Sequence, residues 1–226
     1  MAKMGNGYGS ECHLLRFMGR HRDLLDQSIL EVVGGDSIGW LDFEFNPKNK
    51  WLDAELKGLS FIPSDNQVHA AWRKYWPQGA GIQTWDAAAQ VRFKDAHEWL
   101  LMEAKANLKE LESDCQAKSA RSIATIKAAF EETKQALGVA EDRDWLQGYY
   151  QFCNRLAVLH FLNKHLIPTH LLYIYFVGDC DDARRTCPQD ESGWEDALGA
   201  QAAHVALPKG HPLERRLHKL FLPVTM

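Results

Sequence analysis

Apolar positions along this chain follow two periods, and where each holds predicts the elements. Between residues 10 and 33, Leu14, Leu15, Phe17, Met18, Leu24, Leu25, Ile29 and Leu30 recur at helical spacing, interrupted at Gly19 and the Arg20-His21-Arg22 run. Residues 37–45, SIGWLDFEF, alternate with the period of a strand. From 46 to 81 the pattern breaks around Pro47, Pro63 and Pro77, leaving one short helix at 65–76. This stretch reads as an insertion packed onto the core, not as a second domain. Residues 83–91 and 98–106 form two strand-like runs joined by a polar turn at 92–97, which is a hairpin signal. Helices follow at about 115–137, stopped by Gly138, and at about 144–165, capped by Asp142 or Asp144. Residues 169–177, after Pro168, are almost continuously apolar, as in a buried central strand. A polar loop at 179–200 with a short helix at 193–198, a last strand at 202–207 and a short helix at 211–220 close the chain. The order predicts an α/β fold in one domain spanning 1–226, a mixed central sheet flanked by helices with the insertion at about 46–81.

Composition changes this picture little. Of 226 residues 46% are hydrophobic and 25% charged, with eight tryptophans, which is the make-up of a folded chain. The net charge of −4 argues against a surface coated in nucleic acid but leaves room for a local basic groove. Basic clusters lie at Arg16, Arg20 and Arg22, at Arg184-Arg185, and at Arg215, Arg216 and Lys219; the usual role of such clusters is a solvated face. The first ten residues lack the apolar run of a secretory leader, and the apolar stretch 171–177 is far short of the about 20 residues that span a bilayer. Five cysteines at irregular spacing suggest reduced thiols. The expectation is a cytoplasmic protein with no membrane attachment. The chain contains no HExxH, GxGxxG, Walker or GxSxG motif, which removes the usual signals for zinc proteases, nucleotide-driven motors and serine hydrolases.

The candidate chemistry sits on the hairpin. Side chains alternate across a strand, so Glu103 and Lys105 project from one face and Met102, Ala104 and Ala106 from the other. A turn centred between Lys94 and Asp95 sets Asp86 opposite Glu103, and one centred between Asp95 and Ala96 sets it opposite Lys105. In both registers two carboxylates and an ammonium share one face, with cross-strand Cβ atoms ~5 Å apart. Two carboxylates are hard oxygen ligands suited to Mg²⁺, which keeps waters and takes phosphate oxygens. A lysine beside them can orient a water or neutralise a phosphate. An isolated Glu-x-Lys is ordinarily a surface ion pair. The apolar run Leu100-Leu101-Met102 implies a buried strand, where charge is costly, and that raises the pair to a candidate site.

Trp85-Asp86, about sixteen further residues and then Glu103-Ala104-Lys105 at the end of an apolar strand resemble the PD-(D/E)xK nuclease superfamily, the restriction-endonuclease-like fold. Trp85 stands where that pattern has proline, and matching the first strand to 37–45 requires the insertion. The resemblance covers roughly residues 9–178. It implies a core of helix, three strands, helix and strand, and metal-dependent cleavage of nucleic acid, DNA being the expected substrate. Asp86 and Glu103 would be the metal ligands, Lys105 the catalytic cation, and Mg²⁺ the cofactor with Mn²⁺ as substitute. The family often adds an acid on the first helix, and Glu11 is the residue for that role, its alternative being a solvated first-turn glutamate.

Gln116, Ser119 and Arg121 could touch a phosphate, but read first as the polar side of a helix. Tyr149, Tyr150, Gln151, Asn154 and Arg155 could stack on or bind bases, but read first as core. Asp179, Asp181 and Asp182 lack the order of a calcium loop and read as a solvated loop. Against the enzyme stands a nuclease-fold interaction module or a partner-activated component, with Trp51, Trp72, Trp76 and Trp194 offering a protein-binding surface. A homodimer suits an enzyme that cuts two strands. The enzyme hypothesis expects alanine at Asp86, Glu103 or Lys105 to abolish cleavage without unfolding the protein.

Overall fold

The structure, a computed structural model, describes residues 8–41, 56–79, 82–179 and 185–224. Two helices open it, α1 (Ser10–Arg20) and α2 (Arg22–Val33), broken at His21, one residue past Gly19 and Arg20. β1 (Ser37–Trp40) follows; the rest of its predicted span, beyond Leu41, lies outside the described residues. The described part of the insertion contains β2 (Leu56–Lys57) and α3 (Val68–Tyr75); β3 (Thr84–Trp85), at the start of the predicted strand 83–91, pairs antiparallel with β2. Next come β4 (Ala87–Phe93), β5 (Ala96–Lys105), α4 (Ala120–Leu137), α5 (Tyr150–Lys164), β6 (Thr169–Val177), α6 (Glu195–Val205) and β7 (Leu217–Pro223).

The main sheet has the order β1-β4-β5-β6-β7. Its first three strands are antiparallel neighbours, whereas β5, β6 and β7 run parallel. The fold is therefore α/β, with a mixed five-stranded sheet flanked by helices. One face, carrying Ala89, Val91, Leu100, Met102, Ile174 and Phe176, is covered by Leu14, Phe17, Leu25 and Ile29 of α1 and α2. The other, carrying Ala88, Leu101, Tyr173 and Tyr175, is covered by Phe130 of α4, Leu156 and Leu159 of α5, and Trp72 and Trp76 of the insertion. Alternation along β5 places Glu103 and Lys105 on this second face, with Leu101.

The hairpin turn is tighter than the polar segment 92–97 suggested. Only Lys94 and Asp95 separate the strands, so Ala87 pairs with Met102 and Phe93 with Ala96. Lys94 takes a positive φ of 50°, and its N–H donates to Asp36 Oδ2 at 2.6 Å. Gly138 ends α4 in the left-handed conformation, as its position predicts. Five expectations fail. Residues 202–207 close α6 instead of forming a strand, and the predicted helix at 211–220 gives way to β7. α4 and α5 begin at Ala120 and Tyr150, several residues later than their patterns suggested. Trp72, Trp76 and Trp194 are buried and offer no partner surface; Trp51 lies outside the described residues. Asp179 is buried rather than solvated: it accepts the Gly9 N–H at 2.9 Å and lies 3.1 Å from His13, tying the start of α1 to the end of β6. Asp181 and Asp182 lie outside the described residues. Among the described residues no helix is long and apolar enough to cross a membrane.

Candidate active site

β4 begins at Ala87, directly opposite Met102, so Asp86 stands opposite Glu103 at the point where backbone pairing ends. Its carboxylate takes over there: Oδ2 accepts the Ala104 N–H at 2.7 Å. The register is the one set by a Lys94-Asp95 turn, and the hairpin gathers Asp86, Glu103 and Lys105. Glu11 is not part of this group. It is exposed at the start of α1, the helix covering the opposite face of the sheet.

Glu103 is 1% exposed and Arg155 3%, and the two form an ion pair from Arg155 Nε to Glu103 Oε1. Glu103 Oε2 accepts from Gln151 Nε2 at 3.2 Å and lies 3.6 Å from Lys105 Nζ. Lys105 in turn donates to Gln151 Oε1 at 2.8 Å. Gln151 thus bridges the glutamate and the lysine, and Arg155, one helical turn further along α5, holds the other carboxylate oxygen. Arg155 is itself fixed: Nη1 donates to Asn154 Oδ1 at 2.8 Å, Nη2 to the Thr84 carbonyl at 2.6 Å, and the guanidinium lies 4.7 Å from the Trp85 ring centre. β3 supplies both Thr84 and Trp85, and the insertion bears on the site only through β2, which pairs with β3. The loop after β5 sets the start of α5, with Ser113 Oγ accepting the Gln151 N–H at 2.8 Å.

Asp86 differs from Glu103 in surroundings. The residue is exposed, while protein atoms crowding its carboxyl displace part of its water. That crowding, reinforced by the Glu103 charge, pushes its carboxyl up to about 7 against the opposing pull of Lys105, the Ala104 N–H and Arg155. Oδ1 has no hydrogen bond among the described residues. The Tyr173 hydroxyl, on the residue paired with Glu103 across to β6, is buried without a hydrogen-bond partner.

This donor set suits a hard, water-rich divalent cation. Mg²⁺ is commonly held by one or two carboxylates, the rest of its shell being water and phosphate oxygens. Asp86 and Glu103 provide the two carboxylates and Tyr173 an uncommitted buried hydroxyl. Among the described residues no group of three or more His, Cys, Asp or Glu side chains converges as a ready metal cage.

Gln151 and Arg155 are the site residues that the sequence reading assigned first to the core. The available signal was an amide and a guanidinium one turn apart, beside Asn154, at the start of a helix whose middle is apolar. Of the other polar residues considered, Ser119 caps α4 by accepting the Ser122 N–H, and Gln116 bonds the Asp114 carbonyl. In the basic clusters, Arg22 packs over Trp40 and Arg216 pairs with Glu98, so both have structural partners; Arg184 lies outside the described residues. Comparison of the chain with protein-family models, with curated proteins and with solved structures returned no match.

Proposed function

We propose that the protein is a metal-dependent phosphodiester hydrolase of the nuclease type, acting in the cytoplasm on nucleic acid, with DNA the expected substrate. The observation that carries this reading is the meeting of Asp86, Glu103 and Lys105 at one point of a rigid hairpin, with one carboxylate open to solvent and the other two groups buried. The order of elements around them adds support. Leaving aside α1, the segment from β2 to β3, and α4, which adds a second helix between β5 and β6, the elements α2, β1, β4, β5, α5 and β6 follow the sequence of helix, three strands, helix and strand that the PD-(D/E)xK resemblance implies.

Asp86 and Glu103 would hold the metal, which when bound supplies a Lewis acid for phosphoryl oxygens and lowers the pKa of its water. The chain's own groups do the rest. Lys105 is a fixed cation: Gln151 and Glu103 orient its ammonium, so its charge stands ready for an incoming phosphate. Asp86, exposed just before β4 and with Oδ1 unbonded among the described residues, leaves one carboxylate oxygen accessible from solvent. Seating these groups on strands and a helix keeps them in place through turnover.

A second reading is favoured by one observation, the pairing of Glu103 with Arg155. Such a buried ion pair is also what a purely structural network looks like, and a nuclease-fold module that binds a partner without cleaving would keep it. Thermal denaturation separates the two. Mn²⁺ at about a hundred times its dissociation constant stabilises a binding protein by ~2.7 kcal/mol, or roughly 5–11 °C for a chain of this size. The enzyme reading expects that rise in the wild type and its loss in Asp86→Asn. Equal melting of both proteins at all Mn²⁺ concentrations would favour the module.

A further inference from the structure

Within the proposed site, Arg155 is a charge that the nuclease reading does not use. Its guanidinium is buried against Glu103, and all three of its nitrogens have partners: Glu103, Asn154 and the Thr84 carbonyl. Trp85 lies against its face, the guanidinium 4.7 Å from the ring centre. Asp86 and Glu103 consequently face two cations, Lys105 and Arg155, so the cluster carries no net negative charge even with both carboxyls ionised. A divalent cation arriving alone meets a site with no net negative charge and a glutamate that is already paired. A divalent cation arriving with a phosphodiester meets a different balance, because the phosphate anion, placed near Lys105 and the metal, offsets the added charge.

Resting on the nuclease reading, we propose that Arg155 acts as a resident counter-cation that makes metal binding depend on substrate: the site takes up Mg²⁺ or Mn²⁺ weakly by itself and much more tightly together with a phosphodiester. Arg155 is a positioning residue in this scheme, acting through Glu103 and not on the substrate. By linkage, the factor by which the diester tightens metal binding equals the factor by which the metal tightens diester binding. The arrangement keeps the centre unloaded until nucleic acid is present, a control exerted by charge balance and needing no moving lid.

The test is Mn²⁺ affinity, read from the free-ion electron paramagnetic resonance signal, with and without dimethyl phosphate as the diester probe. The wild type is expected to bind Mn²⁺ at least ~10-fold more tightly with the diester, within the usual range of coupling between sites. Arg155→Met is expected to bind Mn²⁺ alone ~10-fold or more tightly than the wild type, and to gain less from the diester, because it removes a positive charge that pairs with Glu103 and opposes the incoming cation. The two measurements on the wild type decide the matter if Arg155→Met does not fold. Mn²⁺ binding of equal strength with and without dimethyl phosphate overturns the inference and leaves the metal site standing. No Mn²⁺ binding under either condition, in the wild type or the variant, overturns the inference and the nuclease reading together.

Discussion

Glu103→Ala is expected to be primarily a stability mutation. The glutamate is 1% exposed and accepts from Arg155 and Gln151, with the Lys105 ammonium 3.6 Å away. Removing it leaves two buried cations, and Arg155 cannot reach water because Thr84, Asn154 and Trp85 hold it. Breaking a buried pair from one side costs ~3–5 kcal/mol, against a total of ~5–15 kcal/mol for a typical domain. For a chain of this length that is a fall of roughly 6–20 °C in melting temperature. Asp86→Ala removes an exposed carboxylate and one hydrogen bond to the Ala104 N–H, and its cost should be ~1 kcal/mol. The assay is urea unfolding followed by fluorescence of the eight tryptophans. A double-mutant cycle with Glu103→Met and Arg155→Met should show the pair losing ~3 kcal/mol less than the sum of the singles, because the double variant strands neither member of the Glu103–Arg155 pair and leaves only Lys105 without its glutamate. A Glu103→Ala cost below ~1 kcal/mol, or additive singles, would refute the reasoning. The expectation from sequence that all three alanine variants leave the fold intact therefore changes. Asp86 is the clean probe of catalysis, and Glu103 variants must be assayed below their lowered melting range.

Lys105→Met should cost ~1–3 kcal/mol, since Gln151 Oε1 is left without its donor, and should reduce any cleavage by ~100-fold or more; cleavage unchanged in the folded variant removes the lysine from the mechanism. Acid should destabilise the protein between pH 6.5 and about 4 through His218, which burial, His170 and Arg216 hold down from its ordinary 6.5 to about 4. The unfolded chain takes up that proton first, so the His218 contribution is complete above pH 6.5 and lost as pH falls towards 4. Glu98 and Arg216 face the same cluster, and the depressed Glu98 carboxyl adds its own loss only below its ordinary 4.5. Urea midpoints of His218→Gln across this range should be flatter than those of the wild type, and parallel curves would contradict the assignment. Gly35→Ala should destabilise by ~1–3 kcal/mol because its Cβ would stand 2.1 Å from Val91 Cγ1, whereas Gly79→Ala, with open space around it, should stay within ~0.5 kcal/mol in the same unfolding assay.

The parts of the site legible from sequence were those fixed by local rules. Strand alternation put Glu103 and Lys105 on one face. A short polar turn allowed two registers that bring Asp86 to them and a one-residue slip that would turn it away, and the structure adopts the one centred at Lys94 and Asp95. Arg155 was not legible, because its partners are 52 and 71 residues away and its helix reads as core on every side. The same limit explains the C-terminal errors. Residues 202–207 form a short apolar run that fits a strand or a helix end equally well. In 211–220, Leu213, Leu217 and Leu220 mimic helical spacing. What settles that segment is pairing with β6, where Leu220 meets Ile174 and Leu222 meets Phe176, and no local pattern encodes it. The buried tryptophans follow the same logic, since the insertion's hydrophobic faces have meaning only once α4 and α5 stand behind them.

The central claim meets its most direct test in cleavage itself. Purified wild-type protein and Asp86→Asn, both shown folded by their unfolding curves, are incubated with supercoiled plasmid, linear duplex, single-stranded DNA and RNA, in Mg²⁺ and in Mn²⁺. The account expects phosphodiester cleavage by the wild type that needs the metal, and a loss of ~100-fold or more in Asp86→Asn. A folded wild type that cuts none of these in either metal, or an Asp86→Asn variant that cuts as fast, would contradict it.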